Sequence, residues 1–309
     1  LFGLLLTCDS EKGVTPPESP EPPEAPTKIT WQQTALDSLE IFALTASPGG
    51  EVFAAGPCLS DIYRTIDAGS TWVSTRPRSC VRTLSANTLG NIFGASIGGF
   101  ASGFLLRSLD GGDSWTILLV GNFPVDPGPI VFSASGEILV GSGRSDETIG
   151  GIFRSNDNGD TWEQTSFPDS LSVPQLAINQ NGDIFAGTIT YGLFRSLDNG
   201  ESWSEINIGI KNVGRNATVT ALAVHPINGY VFAAIAFQGL YRSTDNGNTW
   251  QLTSLPNTDI QSLVINASGE IFAGSGGFRS ANPEGVFFSE DDGKTWQKIN
   301  KGLINENIL

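Results

Sequence analysis

An eight-residue pattern, Ser/Thr-x-Asp-x-Gly-x-Ser/Thr-Trp, constrains the fold of this 309-residue chain more than any other feature of its sequence. Six copies of it occupy residues 65–72, 108–115, 155–162, 196–203, 243–250 and 289–296. Their aspartates lie 43, 47, 41, 47 and 46 residues apart. A near-constant period in this range is typical of proteins that repeat one supersecondary unit many times. We call each copy a repeat turn.

Each repeat turn belongs to a longer unit of short β-rich runs. In the fourth unit we predict strands A (175–179), B (183–187), C (192–196) and D (202–206), with Asn181-Gly182 between the first two. Asn-Gly between two such runs is a strong hairpin signal. Four strands in about 40–45 residues are typical of a propeller blade. The sequence therefore predicts an all-β protein, a β-propeller of four-stranded antiparallel blades.

The repeat turns resemble the Asp-box (BNR) repeats of the sialidase-like β-propellers over residues 31–303. In these turns we expect the Asp carboxylate to accept backbone hydrogen bonds and the glycine to adopt positive φ. The Trp should begin the outermost strand and pack over its own blade. Structural Asp-box roles are thus expected for Asp67, Asp110, Asp157, Asp198, Asp245, Asp291, Trp72, Trp115, Trp162, Trp203, Trp250 and Trp296. The resemblance implies a fold and leaves function to the loops, since glycosidases, sortilin-type receptors and photosystem assembly factors share such repeats.

Counting strands raises the question of a seventh blade. Trp31 supplies a seventh Trp-led D strand ahead of the six units, and residues 302–309 match the lead-in to strand A at 259–263. Propellers commonly close by completing one blade with strands from both termini, which removes an open sheet edge. We therefore predict a seven-bladed ring for the intact protein, with three strands following residue 309. The alternative is a six-bladed ring with Trp31 on a spare edge strand.

The first 28 residues differ in composition from the repeat region, which we place at 29–309. Residues 1–8 are apolar and end at Cys8, which resembles the end of a bacterial lipoprotein signal peptide. Leu5 fits that pattern and Thr7 departs from it, and the alternative is an ordinary signal peptide with a chance cysteine. In residues 9–28 prolines are interleaved with glutamates, and this composition predicts an extended tether. We expect an exported protein lipidated at Cys8, on the outer membrane or cell surface, or otherwise periplasmic or secreted.

Charge excludes one class of partner. The chain has 17 Lys and Arg against 32 Asp and Glu, a net charge of −15. Such a field repels phosphate backbones, so no nucleic-acid partner is expected, and membrane association would be through the lipid anchor alone. No cofactor or metal is expected either: residues 157–160 hold only part of a calcium ligand set, and the three cysteines lack metal-ligand spacing. We expect a monomer.

Ligand-binding candidates fall in the B–C loops, which lie on the face opposite the repeat turns. Phe100, Tyr191, Phe237 and Phe278 could form exposed aromatic platforms, and Arg82 and Arg144 could hold an anion on the same face. The favoured alternatives are inter-blade packing for the aromatics and scattered solvated charge for the arginines. Cys58 and Cys80 share this face, and whether they form a disulfide is left open by the sequence. A further set of arginines precedes the first five turns and is interpreted as structural, with Phe288 in the sixth unit: Arg64, Arg107, Arg154, Arg195 and Arg242.

Catalysis has little support in the sequence. The early Phe/Tyr-Arg-Ile-Pro motif of sialidases is absent, and nothing distinguishes the loop carboxylates Asp146, Glu147 and Glu284. His225, the single histidine, fits a turn residue better than a base. We expect a non-catalytic binding module for a protein or glycan partner. The alternatives are a secreted glycoside hydrolase, or the polysaccharide-binding part of one, and an assembly factor for a membrane complex.

Overall fold

The computed structural model describes residues 4–5, 31–36, 39–96, 103–118, 127–142, 150–211, 213, 217–255, 259–276 and 284–303. These residues form β-strands, turns and loops, as predicted for an all-β chain. The described ranges include no helix long and apolar enough to cross a bilayer.

Six four-stranded antiparallel sheets make up the molecule, and they are arranged as the blades of a propeller. Blades 1 to 3 contain β3 (Ala43–Ala46), β4 (Val52–Ala55), β5 (Ile62–Thr65) and β6 (Val73–Ser74); β7 (Val81–Ala86), β8 (Ile92–Ser96), β9 (Phe104–Ser108) and β10 (Thr116–Leu118); and β11 (Pro127–Phe132), β12 (Ile138–Ser142), β13 (Gly151–Ser155) and β14 (Glu163–Gln164). Blades 4 to 6 contain β15 (Gln175–Ile178), β16 (Ile184–Gly187), β17 (Leu193–Ser196) and β18 (Ser204–Glu205); β19 (Val219–Val224), β20 (Val231–Ile235), β21 (Gly239–Ser243) and β22 (Gln251–Leu252); and β23 (Ile260–Ile265), β24 (Ile271–Ser275), β25 (Gly285–Ser289) and β26 (Gln297–Lys298).

Within each blade the strands follow one another in chain order, so every connection is a hairpin. The predicted strands of the fourth unit are confirmed, with one difference at the outer edge. Strand D begins after Trp203 and is only two residues long. Short, polar outer strands are a common way to blunt a sheet edge against aggregation.

The hydrophobic core lies between blades rather than within them. Phe53 of β4 is fully buried and belongs to one cluster with Leu84, Ile92 and Leu106 of blade 2. The B strand of a blade that lies between two neighbours is apolar on both faces because both sides are covered, which explains the continuous run Ile-Phe-Ala-Gly in β16. Each blade therefore depends on its neighbours for burial.

Two short strands lie outside the six blades. β2 (Gln32–Gln33) follows Trp31, and it pairs antiparallel with β1 (Leu4–Leu5). The stray D strand predicted at Trp31 is thus present beside six complete blades. The seven-bladed ring of the intact protein stays a prediction.

Candidate functional site

Each repeat turn contains the same internal hydrogen-bond network, and the turns lie on one face of the propeller. In the first turn, Asp67 Oδ1 accepts hydrogen bonds from the Thr65 hydroxyl and the Thr71 amide, both at 2.8 Å, and Oδ2 accepts one from the Thr71 hydroxyl at 2.7 Å. Thr65 Oγ1 in turn accepts from the Gly69 amide at 3.0 Å. The carboxylate is therefore occupied by its own turn.

The other five turns repeat this pattern, and its electrostatic effect is the same. The Ser or Thr that follows each aspartate by four residues donates hydrogen bonds from its hydroxyl and its amide. These bonds lower the pKa of Asp67, Asp110 and Asp157 to about 2. The same bonds lower the pKa of Asp198 and Asp245. The described residues include no cluster of three or more His, Cys, Asp or Glu side chains that could hold a metal ion.

The turn glycines of blades 2 to 6 lie close to side chains of the preceding blade. Gly112 of blade 2 has φ 90°, and a Cβ there would lie 2.8 Å from the Phe53 ring of blade 1. The same relation joins Gly247 of blade 5 to Phe185 of blade 4. Glycine is required both for its positive φ and for this close approach. The predicted structural role of the glycine is confirmed, with packing as a second reason.

The repeat arginines join consecutive blades. Arg107 of β9 donates to the Asn158 carbonyl at 2.6 Å and to Asp160 Oδ1 at 2.7 Å, both in the next blade's turn. Arg154 likewise donates to the Asn199 carbonyl at 2.7 Å and to Glu201 at 2.9 Å. Arg64, Arg195 and Arg242 donate to the carbonyls of Gly111, Asn246 and Asp292. These arginines are structural, as expected, and none is free to hold an anion.

The tryptophans meet in part the expectation that each packs over its own blade. The indoles of Trp162, Trp203 and Trp296 donate to the glycine carbonyl of their own turn at 3.0, 3.2 and 3.1 Å. Two of the rings, however, reach the preceding blade. The Trp203 ring lies edge-on to Phe167, which follows the outer strand of blade 3, with centroids 5.0 Å apart. The Trp250 indole donates to the Ile206 carbonyl of blade 4 at 2.6 Å. The outer strand is only two residues long, so a large ring placed before it reaches the neighbouring blade.

His225 belongs to the turn network between blades 5 and 6. It is buried in the A–B turn of blade 5, where its Nδ1 accepts from the Ile227 amide at 3.2 Å. Its Nε2 lies 3.1 Å from the Gly269 carbonyl and 3.4 Å from Asp292 Oδ1, both in blade 6. This histidine therefore links two blades, which agrees with the turn role inferred from sequence.

The opposite face carries the exposed aromatics. Tyr191, in the B–C loop of blade 4, is 42% exposed, and Phe237, in the B–C loop of blade 5, is 75% exposed. Phe237 adopts a φ of 61°, which is uncommon for a bulky residue and places its side chain at the tip of the turn. The favoured alternative from sequence, that these rings pack between blades, is wrong for both.

The two aromatic loops are held side by side by one stretch of backbone. Residues 217–219, which enter strand β19, bond to both loops: the Ala217 amide donates to the Thr190 carbonyl at 3.3 Å, and the Ala236 amide donates to the Thr218 carbonyl at 2.9 Å. The Thr218 hydroxyl also donates to the Ile189 carbonyl. Tyr191 and Phe237 therefore flank the same short segment.

A third exposed apolar residue follows the residue that bonds to the Tyr191 backbone. Asn207 donates from Nδ2 to the Tyr191 carbonyl at 3.0 Å, and the adjacent Ile208 is 71% exposed. We call Tyr191, Ile208 and Phe237 the loop patch. Ile208 was not singled out in the sequence, because a lone isoleucine after a strand carries no signal by itself.

Blade 6 has charges at the positions that match two members of the loop patch. Asn300 of blade 6 donates from Nδ2 to the Glu284 carbonyl at 2.7 Å, as Asn207 does to Tyr191. Glu284 thus matches Tyr191, Lys301 matches Ile208, and the Glu284 carboxylate lies 3.6 Å from Lys298 Nζ. The apolar surface over blades 4 and 5 is therefore a local feature and not a product of the repeat.

The other candidates that the structure describes lie at blades 1 and 2. Arg82 is exposed and its guanidinium lies 3.9 Å from the centre of the Phe42 ring, at the junction of blades 1 and 2. Cys58 and Cys80 form a disulfide on the loop face, with Cα atoms 4.0 Å apart. Several predicted residues lie outside the described ranges: Cys8, Phe100, Arg144, Asp146, Glu147 and Phe278.

Comparisons with known proteins show the propeller fold and no family. No protein-family model and no curated protein matches the sequence. Among solved structures, the chain is similar to a GH74 enzyme from Niastella koreensis with a TM-score of 0.69 and 15% identity, over 88% of this chain and 50% of that one. It therefore spans about half the length of that enzyme.

Two further solved structures are similar over most of their own length. A catalytically inactive virginiamycin B lyase from Staphylococcus aureus, solved with quinupristin, has a TM-score of 0.68 and 13% identity, over 87% of this chain and 86% of that one. YCF48 bound to D1 peptide has a TM-score of 0.60 and 19% identity, over 79% of each chain. Proteins of such different description share this scaffold, so the likeness establishes architecture alone.

Proposed function

We propose that this chain is the binding propeller of an exported Asp-box protein and that its loop patch captures a protein partner without catalysis. The observation that carries the proposal is the pair of exposed rings, Tyr191 and Phe237, on loops bonded to one segment. Aromatic side chains at a rigid, exposed position are the residues that dominate binding energy in protein interfaces. Little ordering entropy is lost when they bind, because their backbone is already held.

A protein segment suits this patch better than a glycan. Sugar platforms combine an aromatic face with hydrogen-bonding groups, whereas the loop patch adds the aliphatic Ile208 to its two rings. An apolar centre with a polar rim is typical of protein interfaces. The description of YCF48 as bound to a peptide is consistent with such a ligand on this scaffold.

The test uses defined ligand collections. A displayed peptide library would be selected on the wild-type protein, and the same protein would be applied to an array of neutral polysaccharides that includes xyloglucan. We expect peptide ligands whose affinity falls roughly 30-fold or more in Phe237→Ala or Tyr191→Ala, since an interface anchor contributes about 2 kcal/mol or more. Ile227→Ala is the matched control, because Ile227 is 67% exposed in the same blade on the opposite face.

The polysaccharide arm distinguishes the alternatives. Polysaccharide binding that is lost in the two aromatic variants, with no peptide selected, would overturn the protein partner in favour of a glycan. Release of oligosaccharides that is abolished by Glu284→Gln would overturn the non-catalytic role and favour a glycoside hydrolase. Binding that is equal in Phe237→Ala and Ile227→Ala would remove the loop patch as the site.

Export and anchoring are a second part of the proposal and rest on residues 1–28. We propose that Cys8 is lipidated and that the Pro/Glu tether holds the propeller away from the membrane. Incorporation of a labelled fatty acid in the native host should be lost in Cys8→Ala. A protein that is exported without label in either form would show that the segment is an ordinary signal peptide.

A further inference from the structure

The junction between blade 6 and blade 1 differs from the five other junctions. Inner strands of consecutive blades pack directly on each other from blade 1 through blade 6, as β3 does on β7 and β19 on β23. Among the described strands, β23 and β3 make no comparable contact. We call the space between them the seam.

The blade 1 side of the seam exposes residues that other blades bury. Leu44 of β3 is 41% exposed, whereas its counterparts in blades 2 to 5 are at most 8% exposed: Leu84, Ile130, Leu176 and Leu222. Val52 of β4 is also partly exposed, although its counterparts in blades 2 to 6 are fully buried. Leu36 and Leu39 cover part of this side through contacts with the Ala54 cluster.

The blade 6 side shows the same departure. Phe272 of β24 is partly exposed, whereas Phe53, Phe93, Leu139, Phe185 and Phe232 are fully buried at this position. In blades 1, 2, 4 and 5 that phenylalanine packs under the glycine of the next turn. Val264 of β23 is 61% exposed beside it. Both walls of the seam are therefore apolar and incompletely covered.

The outer rim of the seam is already occupied by one strand. The Trp31 amide donates to the Lys301 carbonyl at 3.1 Å, as the Trp250 amide of blade 5 donates to the Ile208 carbonyl of blade 4 at 2.8 Å. The Ala35 amide donates to the Gly69 carbonyl of blade 1 at 3.3 Å, as the Ser166 amide donates to the Gly200 carbonyl. β2 thus holds the position of an outer strand in a blade between blades 6 and 1.

The free edge of β2 pairs with another strand in the register that strands C and D have in the six blades. Leu5 pairs with Gln32 and Leu4 with Gln33, which matches the pairing of Arg195 with Ser204 and Phe194 with Glu205 in blade 4. β1 therefore takes the position of a C strand. Under the export proposal this segment is removed with the signal peptide, and the edge of β2 becomes available.

The chain leaves blade 6 in the conformation that begins a further blade. Asn300 Oδ1 accepts from the Val286 amide at 2.9 Å, as Asn207 Oδ1 accepts from the Leu193 amide at 2.8 Å. Gly302 follows with a φ of 95°, close to the 100° of Gly209. In blade 4 this exit leads into strand A of blade 5.

We propose that the seam is filled by strands A, B and C of a seventh blade, supplied by the polypeptide that continues from Leu303, with β2 as its strand D. These three strands would cover Phe272 and Val264 on one side and Leu44 and Val52 on the other. The replacement of the repeat arginine by Phe288 fits this blade, because the sequence before Trp31 has no Asp-Gly turn to receive a guanidinium. This inference is independent of the proposed ligand.

The first test compares the protein made from its complete reading frame with the same protein ended after Leu303. Hydrogen exchange would be followed in segments carrying Leu44 and Phe272, with the segment carrying Leu84 of blade 2 as control. We expect all three to exchange slowly in the complete protein and the two seam segments alone to speed up in the shortened one. Fast exchange of the seam segments in the complete protein would overturn the proposal, as would a reading frame with no further A-B-C set.

The second test does not need the shortened protein to fold. In the complete protein, Leu44→Lys should lower the unfolding midpoint as much as Leu84→Lys and far more than Leu252→Lys, whose side chain is 50% exposed on the outer strand of blade 5. Equal effects of Leu44→Lys and Leu252→Lys would show an open seam. A protected seam in a particle of twice the monomer mass would make a second copy the occupant and overturn the continuation of this chain.

Discussion

At the scale of single residues, the repeat turn explains why six positions share one chemistry. Ser243 is fully buried and does two things at once: its hydroxyl donates to Asp245 Oδ1 and accepts from the Gly247 amide, both at 2.8 Å. The Asp carboxylate then organises the amides that follow. Each side chain is satisfied only when the complete turn is formed, so the motif is specific for structure and says little about function.

Replacing Ser243 by alanine should therefore destabilise the folded protein, although it removes only one hydroxyl group. The Gly247 amide would be left buried without its acceptor, and we expect the free energy of unfolding to fall by about 1–3 kcal/mol. Urea unfolding at neutral pH would measure the loss. Ser204→Ala, an exposed position on the outer strand of blade 4, is the control and should change stability by less than about 0.5 kcal/mol. Equal losses in both variants would contradict the role of the buried hydroxyl.

Stability should depend on acidity through the turn aspartates. The folded pKa of Asp67, Asp110 and Asp157 is about 2, below the ordinary value of 3.8, so the unfolded chain takes up protons first as the pH falls. Their stabilisation is present above about pH 4 and is lost between about pH 4 and 2. Thermal midpoints measured from pH 7 to 2 at constant ionic strength should show this decline. The slope between pH 4 and 2 should be shallower in Asp157→Asn, and an unchanged slope would contradict the assignment.

At the scale of structural elements, blades are joined as well as packed. Each repeat arginine extends from strand C of one blade to a turn of the next, where the backbone adopts positive φ: at Asn158, Asn199, Asn246, Asp292 and Gly111. That conformation turns a carbonyl toward the preceding blade. A structural role for these arginines could be predicted from their recurrence, but not their acceptors in the next blade, because backbone carbonyls carry no sequence signal.

Arg154→Met removes one such connection while it keeps most of the aliphatic stem. Arg154 bonds to the Asn199 carbonyl, Glu163 and Glu201, and its side chain is only 14% exposed. We expect a loss of about 2–3 kcal/mol in the free energy of unfolding, measured by denaturant titration. The control is Arg78→Met, since Arg78 is largely exposed and meets Asp61 at 3.5 Å. A surface pair of that kind contributes about 0–1 kcal/mol, so similar losses would argue against the inter-blade role.

At the scale of the whole molecule, the net charge should decide which charged surfaces the protein binds, unless a local cluster of basic residues is strong enough to oppose it. A net charge of −15 should hold the protein on an anion exchanger at neutral pH and prevent its retention on heparin. Side-by-side elution from the two columns at low salt measures this. Retention on heparin would reveal a basic surface strong enough to overcome the net charge, and Arg76 and Arg78, which line one groove, would be the first residues to replace.

How much of the molecule was predictable depends on whether the contacts lie within a unit or between units. The repeat period, the hairpin turns and the outer Trp predicted the blades and their order, because strand pairing within a blade joins residues close in sequence. The sequence also pointed to the aromatic loops at Tyr191 and Phe237. It left open whether the two rings are exposed or packed between blades, and the structure shows them exposed.

The sequence by itself determined the blade, because a hairpin turn and a two-residue side-chain period specify local strand pairing. Tertiary structure alone decided which apolar faces are covered, because the two faces of a blade are filled by different neighbours. Leu44 and Leu84 occupy equivalent positions in equivalent strands, yet one is exposed and the other buried. The difference comes from what lies across the seam, which no property of either residue encodes.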